Sequence, residues 1–258
     1  MRTGNILHLV IGTYLKRRKA GNELSLQWAL SWANKMYSDD LAFSRAYRQG
    51  TAKQSEEKYP PVLLEEFYYG LPQAEELWQE SNDRMIAAIT AALSDPATRE
   101  FLLGGAQDDA YVEKSFPLKR PDFTIDAKPD LVFRAPTMRI KIADWKIGQA
   151  GSSEDSLQLF SYALAVSEEL SCPPEEIDVC LIHLGDLHVG NEGIVNYPIS
   201  AKELLRAKAR ILQDIEKMKL MDEFGVAADS AAFTPCRQPR ICANCVFREA
   251  CPFVSKTL

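Results

Sequence analysis

The N-terminal part of the chain carries hydrophobic residues at the three-to-four-residue spacing of a helix. The first stripe predicts a helix from Asn5 to about Lys19 and consists of Ile6, Leu7, Val10, Ile11, Tyr14 and Leu15. Residues 24–93 continue at helical spacing, punctuated by Pro60-Pro61 and by Gly70-Leu71-Pro72. Residues 1–104 are therefore expected to form a helical N-terminal part.

The pattern becomes that of strands within residues 105–225. The segments predicted to be strands are 111–116, 131–133, 140–144, 177–184 and 190–199. The loop from Ala135 to Met138 is short enough to join the second and third segments as an antiparallel hairpin, and Ser200 to Met221 has the pattern of an amphipathic helix. A cluster of strands flanked by helices predicts an α/β fold with a mixed β-sheet.

Polar residues interrupt this apolar pattern at one end of the predicted hairpin. Asp130 opens one strand and Asp144 closes the other, and Lys146 leaves the same strand face as Asp144 because it lies two residues further on. Two hard oxygen ligands suit Mg²⁺ or Mn²⁺, and a lysine can offset the charge that develops on a reacting phosphate. The set predicts phosphodiester hydrolysis; a surface salt bridge at a hairpin end is the alternative.

The pattern of the next helix favours a catalytic site over a surface salt bridge at the end of the hairpin. Residues Ser152 to Asp155 fit a capping box that starts this helix. Gln158 and Tyr162 then lie one helical turn apart, so that the helix returns both side chains to the end of the hairpin. His8, beside the apolar stripe of the first helix, is either a packed core residue or a metal ligand, and the acidic pair favours the ligand.

The last 33 residues, 226–258, contain a cluster of cysteines. Cys236, Cys242, Cys245 and Cys251 have spacings that suit Zn²⁺ or a [4Fe–4S] cluster, and spacing alone leaves both open. In a reducing compartment such thiolates hold metal more often than they form disulfides. A cysteine-rich metal-binding tail is therefore expected.

The net charge and the absence of targeting signals are compatible with the α/β fold and the metal sites predicted above. A net charge of −6 and a pI near 5.3 argue against a chain that coats nucleic acid indiscriminately, although a local groove can still be basic. The candidate phosphate contacts, which are otherwise solvated helix faces, are Lys16, Arg17, Arg18, Lys19, Lys202, Arg206, Lys208 and Arg210. The sequence shows no signal peptide and no membrane-length apolar run, so a cytoplasmic location is expected.

Several short motifs, in this order, carry a family resemblance. They are Gly4-x-x-x-His8, Ala127-Lys128-Pro129-Asp130, Asp144-Trp145-Lys146-Ile147-Gly148, Gln158-x-x-x-Tyr162 and Cys242-x-x-Cys245-x-x-x-x-x-Cys251. The chain resembles the PD-(D/E)XK nuclease superfamily, in the branch similar to the RecB nuclease domain and the CRISPR adaptation nucleases. This implies a restriction-endonuclease-like sheet.

The resemblance also implies roles for residues. His8, Asp130 and Asp144 would hold the divalent metal, with Glu113 as an additional candidate, and Lys146, Gln158 and Tyr162 would complete the catalytic set. It favours [4Fe–4S] over zinc in the tail. The family usually takes one cysteine from before the first helix, where this chain has none. The fourth ligand is then Cys236 or a preceding segment, or the site has three cysteines. The family's chains normally carry another helical segment before the glycine that corresponds to Gly4, whereas this sequence begins almost on it, so a fragment, an unusual start or a partner-supplied segment remains open.

The function expected from these features is a metal-dependent DNA nuclease, exonuclease-like on single strands or strand ends. Its setting would be DNA repair, recombination or CRISPR adaptation, with DNA and the proteins of such a complex as partners. Two alternatives are a nuclease-derived DNA-binding or scaffolding subunit and an RNA-directed phosphodiesterase. Retention of Asp130, Asp144 and Lys146 favours an enzyme.

Overall fold

The computed structural model describes residues 2–53, 55–104, 107–147, 153–185, 193–197 and 199–223, together with Cys242, Cys245 and Cys251. The chain divides into two compact units, Met1–Ala207 and Lys208–Leu258. Gly148, Ser152 and Cys236, which belong to the sequence motifs above, lie outside the described residues.

The described part of the first hundred residues is helical, as predicted. Its helices are α1 (Arg2–Lys19), α2 (Leu26–Arg48), α3 (Glu65–Tyr68), α4 (Ala74–Ser94) and α5 (Pro96–Gly104). Ser25 begins α2 as an N-cap, since its side chain accepts a hydrogen bond from the Trp28 amide. On α1, the predicted apolar stripe is buried, so that this helix presents a single face to the core.

A mixed five-stranded sheet follows and confirms the predicted α/β fold. Its strands are β1 (Tyr111–Val112), β4 (Leu131–Arg134), β5 (Ile140–Lys146), β6 (Ile177–His183) and β7 (Ile194–Tyr197), in that spatial order. The β4–β5 pair is the predicted antiparallel hairpin, whereas β5 and β6 run parallel and are connected through α6 (Ser153–Leu170). A further helix, α7 (Ala201–Glu223), follows the last strand.

The strand predicted over residues 111–116 is wrong in its extent. The sheet strand β1 ends at Val112, and a separate two-stranded sheet pairs β2 (Phe116–Lys119) with β3 (Thr124–Ala127). Glu113 lies between them with φ +53°, a left-handed conformation that a continuous strand cannot contain. The segment predicted as one strand therefore contains β1 of one sheet and the first residue of β2 in the other.

Side chains on the two faces of the sheet enter two different clusters of buried residues. Ala143 and Trp145 of β5 join the cluster that contains α1, α2 and α4. Ile140 and Ile142 join the cluster that contains Leu159 and other residues of α6. This alternation follows from the two-residue period of a strand, and it places the end of β5 within reach of both α1 and α6. None of the helices in the described residues combines the length and the apolar character that crossing a membrane requires.

Candidate active site

The two predicted carboxylates lie at the same end of the β4–β5 hairpin. Leu131 pairs with Ala143 in the antiparallel hairpin. Asp130, which precedes Leu131, is therefore next to Asp144, which follows Ala143. Both are almost fully buried, with exposed fractions of 3% and 2%. Asp130 Oδ2 accepts a hydrogen bond of 2.8 Å from the Trp145 amide, which fixes that carboxylate against the neighbouring strand.

The histidine of α1 reaches this acidic end. Ile6, Leu7, Val10 and Ile11 are fully buried and seat α1 on the core, and this places His8 beside Asp130. His8 Nδ1 lies 2.7 Å from Asp130 Oδ1, and the His8 ring packs 5.9 Å from the Trp145 ring, centroid to centroid. The structure therefore brings together the histidine and the first aspartate of the predicted metal site across 122 positions of sequence.

Lys146, Gln158 and Tyr162 form one polar network around Asp144. Lys146 Nζ lies 2.7 Å from Asp144 Oδ2 and donates to Gln158 Oε1 at 3.0 Å. Gln158 Nε2 donates to the Tyr162 hydroxyl at 2.6 Å, and that hydroxyl donates to Asp144 Oδ1 at 3.4 Å. The Lys146–Asp144 contact has the distance of an ion pair without the alignment of a hydrogen bond. Helix α6 thus returns both side chains to the hairpin end, as its spacing predicted.

Glu113 is closer to the centre of the site than its sequence position suggested. Its Oε1 lies 3.7 Å from His8 Nδ1, and its amide donates to the Asp130 carbonyl at 2.9 Å. The left-handed backbone at this residue costs on the order of 1–2 kcal/mol. Gly12 of α1 leaves room for the side chain, since an added Cβ there would lie 3.0 Å from Glu113 Cγ.

Lys128 is a residue of the site to which sequence reasoning gave no role. Its Nζ lies 2.7 Å from Glu113 Oε2, and its side chain is half-exposed. The available signal was its place two residues before Asp130, which is the spacing of side chains on one face of an extended segment. Glu113 consequently lies between Lys128 and His8.

Burial and close charges perturb the pKa values of this cluster. Burial lowers the pKa of His8, but the hydrogen bond to Asp130 and the nearby Glu113 carboxylate outweigh burial and raise this pKa to about 10. Burial raises the pKa of Asp130 to about 7, with Asp144 and Glu113 acting in the same direction against the pull of His8. Burial also acts to raise the pKa of Glu113, yet His8 and Lys128 lower it overall. The carboxylates place several acidic groups close together at partly or fully buried positions, where a bound cation would be stabilised.

The ligand atoms suit a divalent metal ion. One atom each from His8, Glu113 and Asp130 lies within 4.8 Å of the other two. Glu113 Oε1 is buried and accepts no hydrogen bond from the described residues, which is the state expected of an oxygen that awaits a cation. Mn²⁺ readily binds a set of carboxylate oxygens and one imidazole. Mg²⁺ binds such a set when most of its ligands are oxygen atoms.

A cavity of about 520 Å³ opens over these groups. One wall is a face of α1, and the other is formed by the hairpin end and α6. Its lining residues are Asn5, His8, Leu9, Gly12, Thr13, Lys16, Glu113, Lys128, Asp130, Asp144, Lys146, Gln158 and Tyr162. All the predicted catalytic and metal-binding side chains of the first unit therefore line one cavity. Lys16, one of the candidate phosphate contacts, lines it too.

The cysteines of the tail are described only in part. Cys242, Cys245 and Cys251 are half-buried, and the Cys245 amide donates to the Cys242 carbonyl at 3.3 Å. Cys236 lies outside the described residues. Among the described residues, the group of three ligands close enough for one ion is the His8 group. The metal cluster of the tail stays a prediction.

The fold and this geometry define an α/β protein with a carboxylate–lysine site at the end of a central hairpin. The family model of the PD-(D/E)XK nuclease superfamily matches residues 2–252. The chain therefore belongs to this superfamily and is a hydrolase acting on phosphodiester bonds of nucleic acids. A search among curated proteins found no match. The narrower RecB-like and CRISPR branch stays a prediction.

Proposed function

We propose that the protein is a metal-dependent DNA nuclease that cleaves single strands or strand ends, as expected for the RecB-like branch. The observation that carries the proposal is the 2.7 Å contact of His8 Nδ1 with Asp130 Oδ1. It brings the histidine of a Gly-x-x-x-His helix to the acidic hairpin, which is the arrangement that the resemblance implies. DNA repair, recombination and CRISPR adaptation are the settings in which such an enzyme would work.

The metal would be Mg²⁺ or Mn²⁺, held by His8, Asp130 and Asp144. Glu113 would contribute an oxygen directly or through water, since its Oε1 is buried without a hydrogen-bond partner among the described residues. A divalent cation there supplies positive charge beside the scissile phosphate and acidifies the attacking water. Because such cations keep several waters and take ligands from substrate phosphate, a small protein ligand set is sufficient.

The other polar residues would position the reaction. Hydrolysis adds the oxygen of water to phosphorus and breaks one P–O ester bond, leaving a phosphomonoester and a hydroxyl group. The Lys146 ammonium, held between Asp144 and Gln158, would orient the water and offset charge on the phosphate oxygens. Tyr162 would remain a neutral hydroxyl donor, because burial and the charge of Asp144 raise its pKa. Gln158 would keep Lys146 directed into the cavity.

The retained site favours an enzyme over a nuclease-derived scaffolding subunit. Asp130, Asp144 and Lys146 all line one cavity, and a protein that only binds DNA needs neither buried carboxylates nor the unfavourable desolvation that they incur. Lys16 and Lys128 at the same cavity would contact phosphates on either side of the scissile bond.

The test is cleavage of labelled single-stranded DNA, duplex DNA and RNA with Mg²⁺ or Mn²⁺. We expect single-stranded DNA to be cut, with Asp144→Ala inactive and Asp39→Ala, an exposed aspartate of α2, fully active. Thermal shift in the presence of the metal reports binding independently, and Asp144→Ala should lose that stabilisation while remaining folded. Full activity of Asp144→Ala would refute the assignment, and preferential RNA cleavage would replace DNA as the substrate.

In the tail, we propose a metal centre held by Cys236, Cys242, Cys245 and Cys251, with [4Fe–4S] ahead of Zn²⁺. Four thiolates at these spacings support it. The boundaries at 104/105 and 225/226 would then separate a helical part, a nuclease core and a metal-stabilised tail. Protein purified without oxygen should be brown; colourless protein with about one zinc per chain would replace the iron–sulfur centre with a zinc site.

A further inference from the structure

Three aromatic side chains form a row outside the active-site cavity, here called the aromatic row: Trp28, Trp32 and Tyr59. Trp28 and Trp32 are separated by four residues on α2 and so share a helix face, with ring centroids 5.3 Å apart. The Tyr59 ring follows, 5.9 Å from that of Trp32. The two tryptophans are half-buried, and Tyr59 is 37% exposed.

A cation lies over each end of the aromatic row. Arg17 Cζ is 5.4 Å from the centroid of the Trp28 ring, and Lys58 Nζ is 5.2 Å from that of the Tyr59 ring. Both cationic side chains are exposed. Both tryptophans also pack against the core cluster of α1, α2 and α4. That packing requires apolar contact but does not require charges at both ends, whereas exposed aromatic side chains flanked by cations are features that bind single-stranded nucleic acid.

The last turn of α1 contributes a residue to the cavity and another to the aromatic row. Lys16 lines the cavity, and the next residue, Arg17, is the one that lies over Trp28. Both belong to the last turn of α1, which consists of four basic residues. The last turn of α1 therefore supplies one cation to the cavity and another to the aromatic row, so a single strand that follows this turn would contact both.

We infer that the aromatic row is a binding surface for the single-stranded DNA that is cleaved. Bases next to the cleavage position would stack on Trp28, Trp32 and Tyr59. The inference rests on the proposed nuclease function and specifies how a single strand is selected. Stacking accepts any base, because every base has an aromatic face, whereas the faces of bases inside a duplex are covered by their neighbours. Glu57, adjacent to Lys58, reduces the positive charge at that end, so stacking supplies the affinity there.

The experiment measures equilibrium binding of fluorescein-labelled oligothymidylate by anisotropy, in EDTA so that no cleavage occurs. The variant is Trp32→Leu with Tyr59→Ala, which removes two rings but keeps an apolar side chain at position 32 of α2. Trp32→Phe keeps a ring. The matched control is Tyr47→Ala, which removes a more exposed tyrosine of α2 that lies 15 residues or about 22 Å along the helix from Trp32. Melting temperatures establish that each variant is folded.

We expect the double variant to bind single-stranded DNA about tenfold or more weakly, with Trp32→Phe and the Tyr47 control close to wild type. Duplex binding should change little, since it depends on phosphate contacts. Equal affinities of the folded double variant and wild type for the single strand would overturn the inference, as would an equal loss for duplex and single strand.

Failure of the aromatic-row inference can be distinguished from failure of the nuclease proposal. Metal-dependent cleavage that requires Asp144, together with single-strand binding unaffected by the double variant, would refute the aromatic row alone. Loss of single-strand binding in the double variant, combined with no cleavage by wild type under any metal, would refute the nuclease proposal and retain the row as a binding surface.

Discussion

Asp40 offers the sharpest test of how the helical part is held together. It lies on α2 with no exposed surface. Its carboxylate accepts hydrogen bonds from Arg2 Nε at 2.6 Å, from Arg2 Nη2 at 3.1 Å and from the Val62 amide at 2.8 Å. One side chain thereby connects α2 to the beginning of α1, the helix that carries His8, and to the segment that precedes α3.

Asp40→Ala should be strongly destabilising. Removing one partner of a buried ion pair costs about 3–5 kcal/mol, because the other charge remains buried without compensation. The Arg2 side chain is 21% exposed and can recover part of its hydration, so the lower end, about 3 kcal/mol, is expected. For a folded unit of this size, that corresponds to a fall of about 6–12 °C in melting temperature.

Asp39→Ala is the matched control, one residue earlier on the same helix. The Asp39 side chain is 43% exposed and pairs with Lys35 at the surface, where such pairs contribute little. Melting is followed by circular dichroism for both variants and for Arg2→Ala with Asp40→Ala, in which removal of both charges should restore part of the loss. Equal melting temperatures for Asp40→Ala and Asp39→Ala would refute the reasoning.

Three further predictions concern the site and the tail. Lys146→Ala should lower turnover by roughly two to four orders of magnitude while metal binding, measured by calorimetry, persists; loss of DNA binding with normal cleavage at saturation would make Lys146 a substrate-binding residue only. Gly12→Ala should reduce turnover by displacing Glu113, whereas Gly4→Ala on the same helix meets no atom within 4 Å and should raise the melting temperature; equal turnover in the two variants would contradict this. Cys245→Ser should lower the melting temperature before it affects initial cleavage rates, and an unchanged melting temperature would argue against metal in the tail.

Local backbone geometry explains what could be predicted at the hairpin. A strand alternates its faces every two residues, so Asp144 and Lys146 necessarily leave β5 on one side. A helix repeats every 3.6 residues, so Gln158 and Tyr162 necessarily share a face of α6. Together with the short connection after β4, these rules were sufficient to place both carboxylates at one end of the sheet.

Glu113 shows where such rules fail. The segment around it was predicted to be one continuous strand, yet the residue adopts a positive φ and separates two sheets. A hydrogen bond from its amide to the Asp130 carbonyl and the space left by Gly12 stabilise this conformation. Neither is visible in the local pattern, because both partners are distant in sequence.

By itself, the sequence determined the α/β class, the β4–β5 hairpin and the order of the polar groups along it, because these depend on periodicities of single elements. Only the tertiary structure decided that His8 contacts Asp130, that Lys128 pairs with Glu113, and that Tyr59 completes the aromatic row. These contacts depend on how α1 and α2 pack on the rest of the fold. That packing is set jointly by many buried side-chain volumes and cannot be derived from the spacing of residues within one segment.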